Sequence, residues 1–128
     1  MERPDLEIYR RQSELCKTFA DPKRLLILNE LRAGEKPVGQ LAQALGLRQA
    51  NVSQHLAVLR DRGIVVARRE GTSVFYSLSS PKIGQACDLI HSVLQEQLER
   101  SGSIAQRLAA VEPAGSSPAT KKRPADRT

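Results

Sequence analysis

Between Val38 and Gly63 the chain carries two short apolar stripes on either side of a glycine, and that spacing constrains the fold more than any other feature. Leu41 and Leu45 lie four apart, so they share one face of a short helix from about Val38 to Leu45, and Gly46 supplies its stop. Val52, Leu56 and Leu59 recur at i, i+4 and i+7, the inward stripe of a second helix from about Arg48 to Arg62 that ends at Gly63. The pattern predicts a helix-turn-helix in which a compact apolar lattice holds the polar side of the second helix outward.

The flanking sequence extends this reading. Ile64-Val65-Val66 and Val74-Phe75-Tyr76 are β-branched or aromatic runs around Glu70-Gly71-Thr72, a hairpin signal with glycine in the turn. Upstream, Leu6, Ile8, Leu15 and Phe19 suit an amphipathic first helix over residues 5–19. Asp21-Pro22 reads as a cap with proline in the first turn of the next helix. Leu25, Leu26, Leu28 and Leu31 make that second helix apolar on a broad face. Gly34 ends it, and Glu35-Lys36-Pro37 turns the chain. Ser80-Pro81 repeats the cap-and-proline device ahead of a last helix to about Arg100, striped by Ile83, Cys87, Ile90, Leu94 and Leu98. That stripe fits either an intrachain core or a helix–helix dimer seam. Ser101-Gly102-Ser103 is expected to interrupt the helix, with a short helical extension over residues 101–111. The Pro-, Ala- and Ser-rich segment 112–128 is expected to be a disordered basic tail. The fold class is thus mainly α with a small β-hairpin wing, in one domain over residues 1–100.

Composition narrows what such a chain does. Its 128 residues suit one domain, and a core this small is marginal, so burial shared with a second copy would help it. The net charge of +6 is concentrated: Lys36–Tyr76 holds six basic side chains against two acidic ones. A polyanionic partner is favoured. No run approaches membrane-spanning length and the charged start is no signal peptide, so a cytoplasmic protein is expected. Two distant cysteines make no secreted disulfide framework. Two histidines, no Gly-rich phosphate loop and no nucleophile–base spacing argue against an enzyme, and no cofactor is implied.

The outward side of the second helix carries Gln49, Ala50, Ser53 and Gln54. Gln pairs two-pronged with adenine, Ser donates or accepts, and Ala meets a thymine methyl, so these are candidate base contacts in a major groove. Arg48 at the helix start is placed for phosphate or guanine. His55 sits at the edge of the inward stripe, where a hydrogen-bonded packing role and a phosphate contact are both open. Arg68, Arg69 and Thr72 lie towards the hairpin tip. Alternate strand residues face opposite sides, so only one of the two arginines is expected to touch DNA. Lys121-Lys122-Arg123 would add non-specific affinity or serve as a solubilising end.

The succession ADPKRLLILNELRAGEKPVGQLAQALGLRQANVSQHLAVLRDRGIVVARREGTSVFYSLS resembles the ArsR/SmtB family of winged helix-turn-helix regulators. The likeness combines Asp21-Pro22-Lys23-Arg24, Val52-Ser53-Gln54-His55-Leu56, Leu59-Arg60, Gly63-Ile64-Val65 and Arg69-Glu70-Gly71. It implies a homodimer through first and last helices, and repression relieved when an inducer binds. The sequence departs from the family's metal sensors. No ligand stands in Gln40–Leu45, and Ser80 and Lys82 stand near the start of the last helix where ligands would be needed, so a zinc site is not expected. Cys16, Cys87 and His91 remain as effector or redox candidates, with Cys87 and His91 on one helix face. The reading helix and wing also resemble the reactive-sulfur-sensing branch, whose paired cysteines lie on the second and last helices; here Asn29 stands near the former position. Buried structural thiols, thiol redox or sulfur sensing, and binding of a thiophilic ion all stay open. The competing function is a non-specific architectural DNA-binding protein.

Overall fold

A computed structural model describes residues 4–109 of the chain. Its elements run α1 (Pro4–Thr18), α2 (Pro22–Leu31), β1 (Lys36–Pro37), α3 (Val38–Leu45), α4 (Gln49–Asp61), β2 (Val65–Glu70), β3 (Ser73–Leu78) and α5 (Pro81–Ala109). The tail from residue 112, including Lys121-Lys122-Arg123, lies outside the described residues.

The core is one apolar cluster of Ile27, Leu28, Leu31, Leu41, Ala42, Val52, Leu56, Leu59, Ile64 and Val65, supported by half-buried Phe19, Val38, Leu45, Leu47, Tyr76, Leu78 and Ile83. The stripes expected of α3 and α4 are thus the ones that pack. In α2 the inward face differs from expectation. Ile27, Leu28 and Leu31 are buried while Leu25 stays exposed, because only one side of the helix meets α3 and α4. Asp21 caps α2, its Oδ1 accepting from the backbone N–H groups of Lys23 (2.9 Å) and Arg24 (3.2 Å).

The turn between α3 and α4 depends on Gly46. It ends α3 at φ 67 and ψ 32, a left-handed conformation that costs glycine no Cβ clash. The Leu47 N–H then reaches back to the Ala42 carbonyl at 3.0 Å, satisfying an orphan carbonyl at the helix end and aiming the chain into α4.

Lys36-Pro37, read from sequence as a turn, forms a short third strand. Lys36 pairs with Tyr76 and Pro37 with Phe75, giving a sheet of order β1-β3-β2. Proline is tolerated there because β1 is an edge strand with no further partner to donate to. Ile64 precedes the hairpin and seals the core, and β2 pairs with β3 from Val65↔Leu78 to Glu70↔Ser73.

The flanking helices pack least against the core. α1 forms, but Leu6, Ile8, Tyr9 and Leu15 remain exposed, and it is Phe19, just past the helix end, that reaches the core. α5 is continuous through Ser101-Gly102-Ser103, where the sequence predicts an interruption. Each of those residues costs a helix only about 0.5–1 kcal/mol relative to alanine. No proline intervenes before residue 113, so twenty residues of established helix propagate through them.

Candidate nucleic-acid interface

α4 is anchored on one side and open on the other. Val52, Leu56 and Leu59 are at most 1% exposed, which fixes the roll of the helix about its axis. Gln49, Ala50, Ser53 and Gln54 all lie on the exposed side, as the stripe requires. Ala57, one turn beyond Ser53, continues the same exposed row. It went unnoticed in the sequence, although its i+4 spacing from Ser53 marks it; a methyl there leaves room for close approach. Arg48 is the N-cap residue of α4, with extended backbone and an exposed side chain.

His55 is engaged inside the protein. The Arg24 Nε–H donates to its Nδ1 at 3.2 Å, and Arg24 also donates from Nη1 to the Thr18 carbonyl at 3.2 Å. An accepting Nδ1 leaves the imidazole proton on Nε2, which lies 4.0 Å from Asp21 Oδ1. Burial works to raise the Asp21 pKa. The N–H groups of Arg24 and Lys23, and behind them the Arg24 charge, outweigh it and hold the carboxyl below its usual value. The cluster ties the end of α1 and the start of α2 to the reading helix. Of the two roles left open for His55, the packing role is the one this geometry realises.

The wing separates its two arginines. Arg68 lies on the outer sheet face with Phe75, its guanidinium 4.9 Å from the ring centroid. It donates to both oxygens of Glu35 (3.1 and 2.6 Å) and to Glu70 (2.7 Å). Those hydrogen bonds keep Glu35 ionised well below the usual carboxylate range. Arg69 shares the opposite face with Val65, Tyr76 and Leu78, beyond the end of the core, and forms no ion pair among the described residues. Arg62 pairs with Glu14 at 3.5 Å, and Lys36 donates to the Glu30 carbonyl. Half of the basic side chains counted between Lys36 and Tyr76 are thus engaged in holding the fold. Arg48, Arg60 and Arg69 form no ion pair among the described residues and are exposed. Thr72 lies exposed in the hairpin turn.

The effector candidates lie on the flanking helices. Cys16 is exposed on α1 and Cys87 half-buried on α5, both as free thiols. Partial burial pushes the Cys87 thiol up, the nearby Arg32 guanidinium opposes this, and Asp88 adds to it. His91 follows Cys87 by one turn and is exposed. Among the described residues no three His, Cys, Asp or Glu side chains gather closely enough to hold a metal ion. None of the helices described is long and apolar enough to cross a membrane.

A buried three-helix lattice, an outward polar row on its last helix and a basic hairpin beside it define a winged helix-turn-helix module. Residues 21–66 match the family described as "Bacterial regulatory protein, arsR family". The HTH-type transcriptional regulator Rv0081 of Mycobacterium tuberculosis is 36% identical over 104 residues, spanning 80% of this chain and 91% of that protein. The biofilm growth-associated repressor of Xylella fastidiosa is 38% identical over 100 residues, 76% of this chain and 86% of its own length. The crystal structure of Rv0081 superposes with a TM-score of 0.67 at 37% identity, over 73% of this chain and 95% of that one. The solution structure of the homodimeric winged helix-turn-helix DNA-binding domain Mb0332 from Mycobacterium bovis gives 0.69 at 30% identity, over 78% and 93%. The chain belongs to the arsR family of bacterial regulatory proteins, whose members are transcriptional regulators and not enzymes.

Proposed function

We propose that the chain is a homodimeric repressor that reads a specific operator through α4 and is released from it by an inducer acting on the flanking helices. The observation that carries the reading is the outward row Gln49, Ala50, Ser53, Gln54 on a helix whose opposite stripe is fully buried, with Arg69 exposed on the adjacent wing. Such a row enters a major groove N-terminus first, and Arg48 and Arg69 meet phosphate on either side. Thr72 at the wing tip adds a hydroxyl to the same backbone contact. His55 contributes indirectly, through Arg24, by holding the helix.

Dimerisation is supported by the uncovered apolar side chains of α1 and α5. Ile90 is 72% exposed and Leu89 69%, and with Val93, Leu94 and Leu98 they make a patch that a monomer leaves in water. The M. bovis neighbour is described as homodimeric, and the Xylella relative as a repressor. The inducer assigned here is a thiol-reactive species. Cys16 and Cys87 lie on these two helices, so a bond formed or blocked there acts on the surface that sets dimer geometry. An inducer shifts the equilibrium only by its differential affinity for the two geometries.

Footprinting on DNA upstream of the protein's own operon tests the reading. Protection of an inverted repeat, with affinity roughly 10³-fold or more above scrambled duplex at matched salt, supports it. Equal affinity for both would make the protein a non-specific architectural binder. Operator release by polysulfide or oxidant that persists unchanged in both Cys16→Ser and Cys87→Ser would remove the thiol assignment.

A further inference from the structure

α5 leaves the winged head by a narrow attachment. Among the described residues Ile83 is the one α5 side chain that packs against the buried core. Beyond it the connection is polar. Arg32, at the end of α2, donates from Nη1 to Asp88 Oδ1 at 2.6 Å and from Nη2 to Oδ2 at 2.8 Å, a two-pronged pair joining residues 56 apart in sequence. The pairing holds the Asp88 carboxyl below its usual range.

Gly84 makes this possible. It lies one turn before Asp88 and is buried, although glycine weakens a helix interior relative to alanine. A Cβ built there would stand 2.5 Å from Arg32 Nε and 3.0 Å from its Cζ. The guanidinium lies in the notch where a side chain would be. Packing of this kind fixes direction: Arg32 is wedged against the α5 backbone and then gripped by Asp88.

The attachment is also wet. The Arg32 and Asp88 side chains remain 35% and 61% exposed. The leverage is large, since a helix of 29 residues spans about 43 Å. A tilt of about five degrees at Gly84 moves its far end by about 3 Å.

The geometry points to Arg32 and Asp88, seated on the Gly84 notch, as positioning residues that set the angle between the dimer helix and the reading head, and through it the half-site spacing the dimer accepts. This inference rests on the homodimeric reading above. Neither residue touches DNA. The pair contributes little to folding, since both side chains are largely solvated and their attraction is screened. Its effect is on the direction in which α5 leaves the head.

The experiment uses the full chain and the duplex footprinted for the wild type, with variants carrying single base pairs inserted or removed between the halves. The wild type is expected to discriminate sharply among the spacers. Asp88→Asn and Gly84→Ala, checked as folded by circular dichroism and dimeric by sedimentation, are expected to lose affinity for the native spacing by roughly tenfold and to bind the altered spacers nearly as well. Should either variant unfold, Arg32→Lys, which keeps the charge but not the two-pronged grip, is expected to give the same flattened spacer profile. Variants that keep the wild-type affinity and spacer profile overturn the inference while leaving the regulator reading intact. A wild type with no preferred site overturns the regulator reading itself.

Discussion

The winged head and the helices that flank it are built on opposite terms. From α2 to β3 the apolar side chains converge, and Ile27, Leu41, Val52 and Leu59 are sealed from water. In α1 and α5 they diverge: Leu6, Ile8, Leu89, Ile90 and Leu98 are all about half exposed or more. The head is a finished unit whose outward face is polar by design of the stripe. The flanking helices are unfinished, and the surface they leave open is the kind a second copy covers. Recognition and assembly are thereby separated, and what joins them is one apolar contact on each side, Phe19 and Ile83, with polar groups beside it: the Arg24–His55–Asp21 cluster on the α1 side, and Arg32–Asp88 on the α5 side.

That contrast can be broken in order of expected effect. Leu56→Ala removes a side chain that is 1% exposed and should destabilise the head by about 2–5 kcal/mol in urea unfolding. A negligible loss would mean that α4 is not anchored by its stripe. Ile90→Glu with Leu94→Glu should leave the circular dichroism of the head largely intact, yet yield a monomer in sedimentation with operator affinity lowered roughly 10³-fold, towards non-specific binding. A doubly substituted protein that remains dimeric would show that α5 is not the seam. On the reading helix, Gln54→Ala should cost about 1–3 kcal/mol of discrimination at one base pair with no change in unfolding, measured by affinities for single-position operator variants.

Smaller effects sharpen the division within each region. Arg69→Ala should reduce the slope of log affinity against log salt by about one phosphate contact, and Arg68→Ala by much less. Equal slopes would undo the assignment of the phosphate contact to Arg69 and not Arg68. Asp21→Ala should cost about 1 kcal/mol through the lost cap. Asp21→Asn should retain much of the cap but lose a pH dependence. The folded carboxyl is held below its unfolded value, so the unfolded chain binds the extra proton. The stability it lends is complete above about pH 4 and disappears as pH falls through the folded-state value. A wild type and Asn variant with the same acid unfolding profile would contradict this.

Much of the head was legible because local periodicity and core burial agree there. Leu41, Val52, Leu56 and Leu59 announce their faces by spacing alone, and the exposed row on α4 follows from them. The same logic misjudged α2, where Ile27 and not Leu25 turns inward, since a helix apolar all round does not reveal which side meets its neighbours. It misjudged Lys36-Pro37 too, because an edge strand of two residues exists only once β3 is present to pair with it.

Sequence alone settled that α2, α3 and α4 form, where α3 stops, and that α4 must show glutamines and serine to solvent, because those follow from contacts within a few residues and from one shared core. It also holds a glycine at position 84 inside an otherwise regular helical stripe. Only the tertiary structure decided what that glycine is for, which arginine of the wing is engaged, and that His55 is gripped by Arg24. Each of those depends on a partner about 30 to 60 residues away, and a pairing of charges across the fold leaves no periodic trace in the chain.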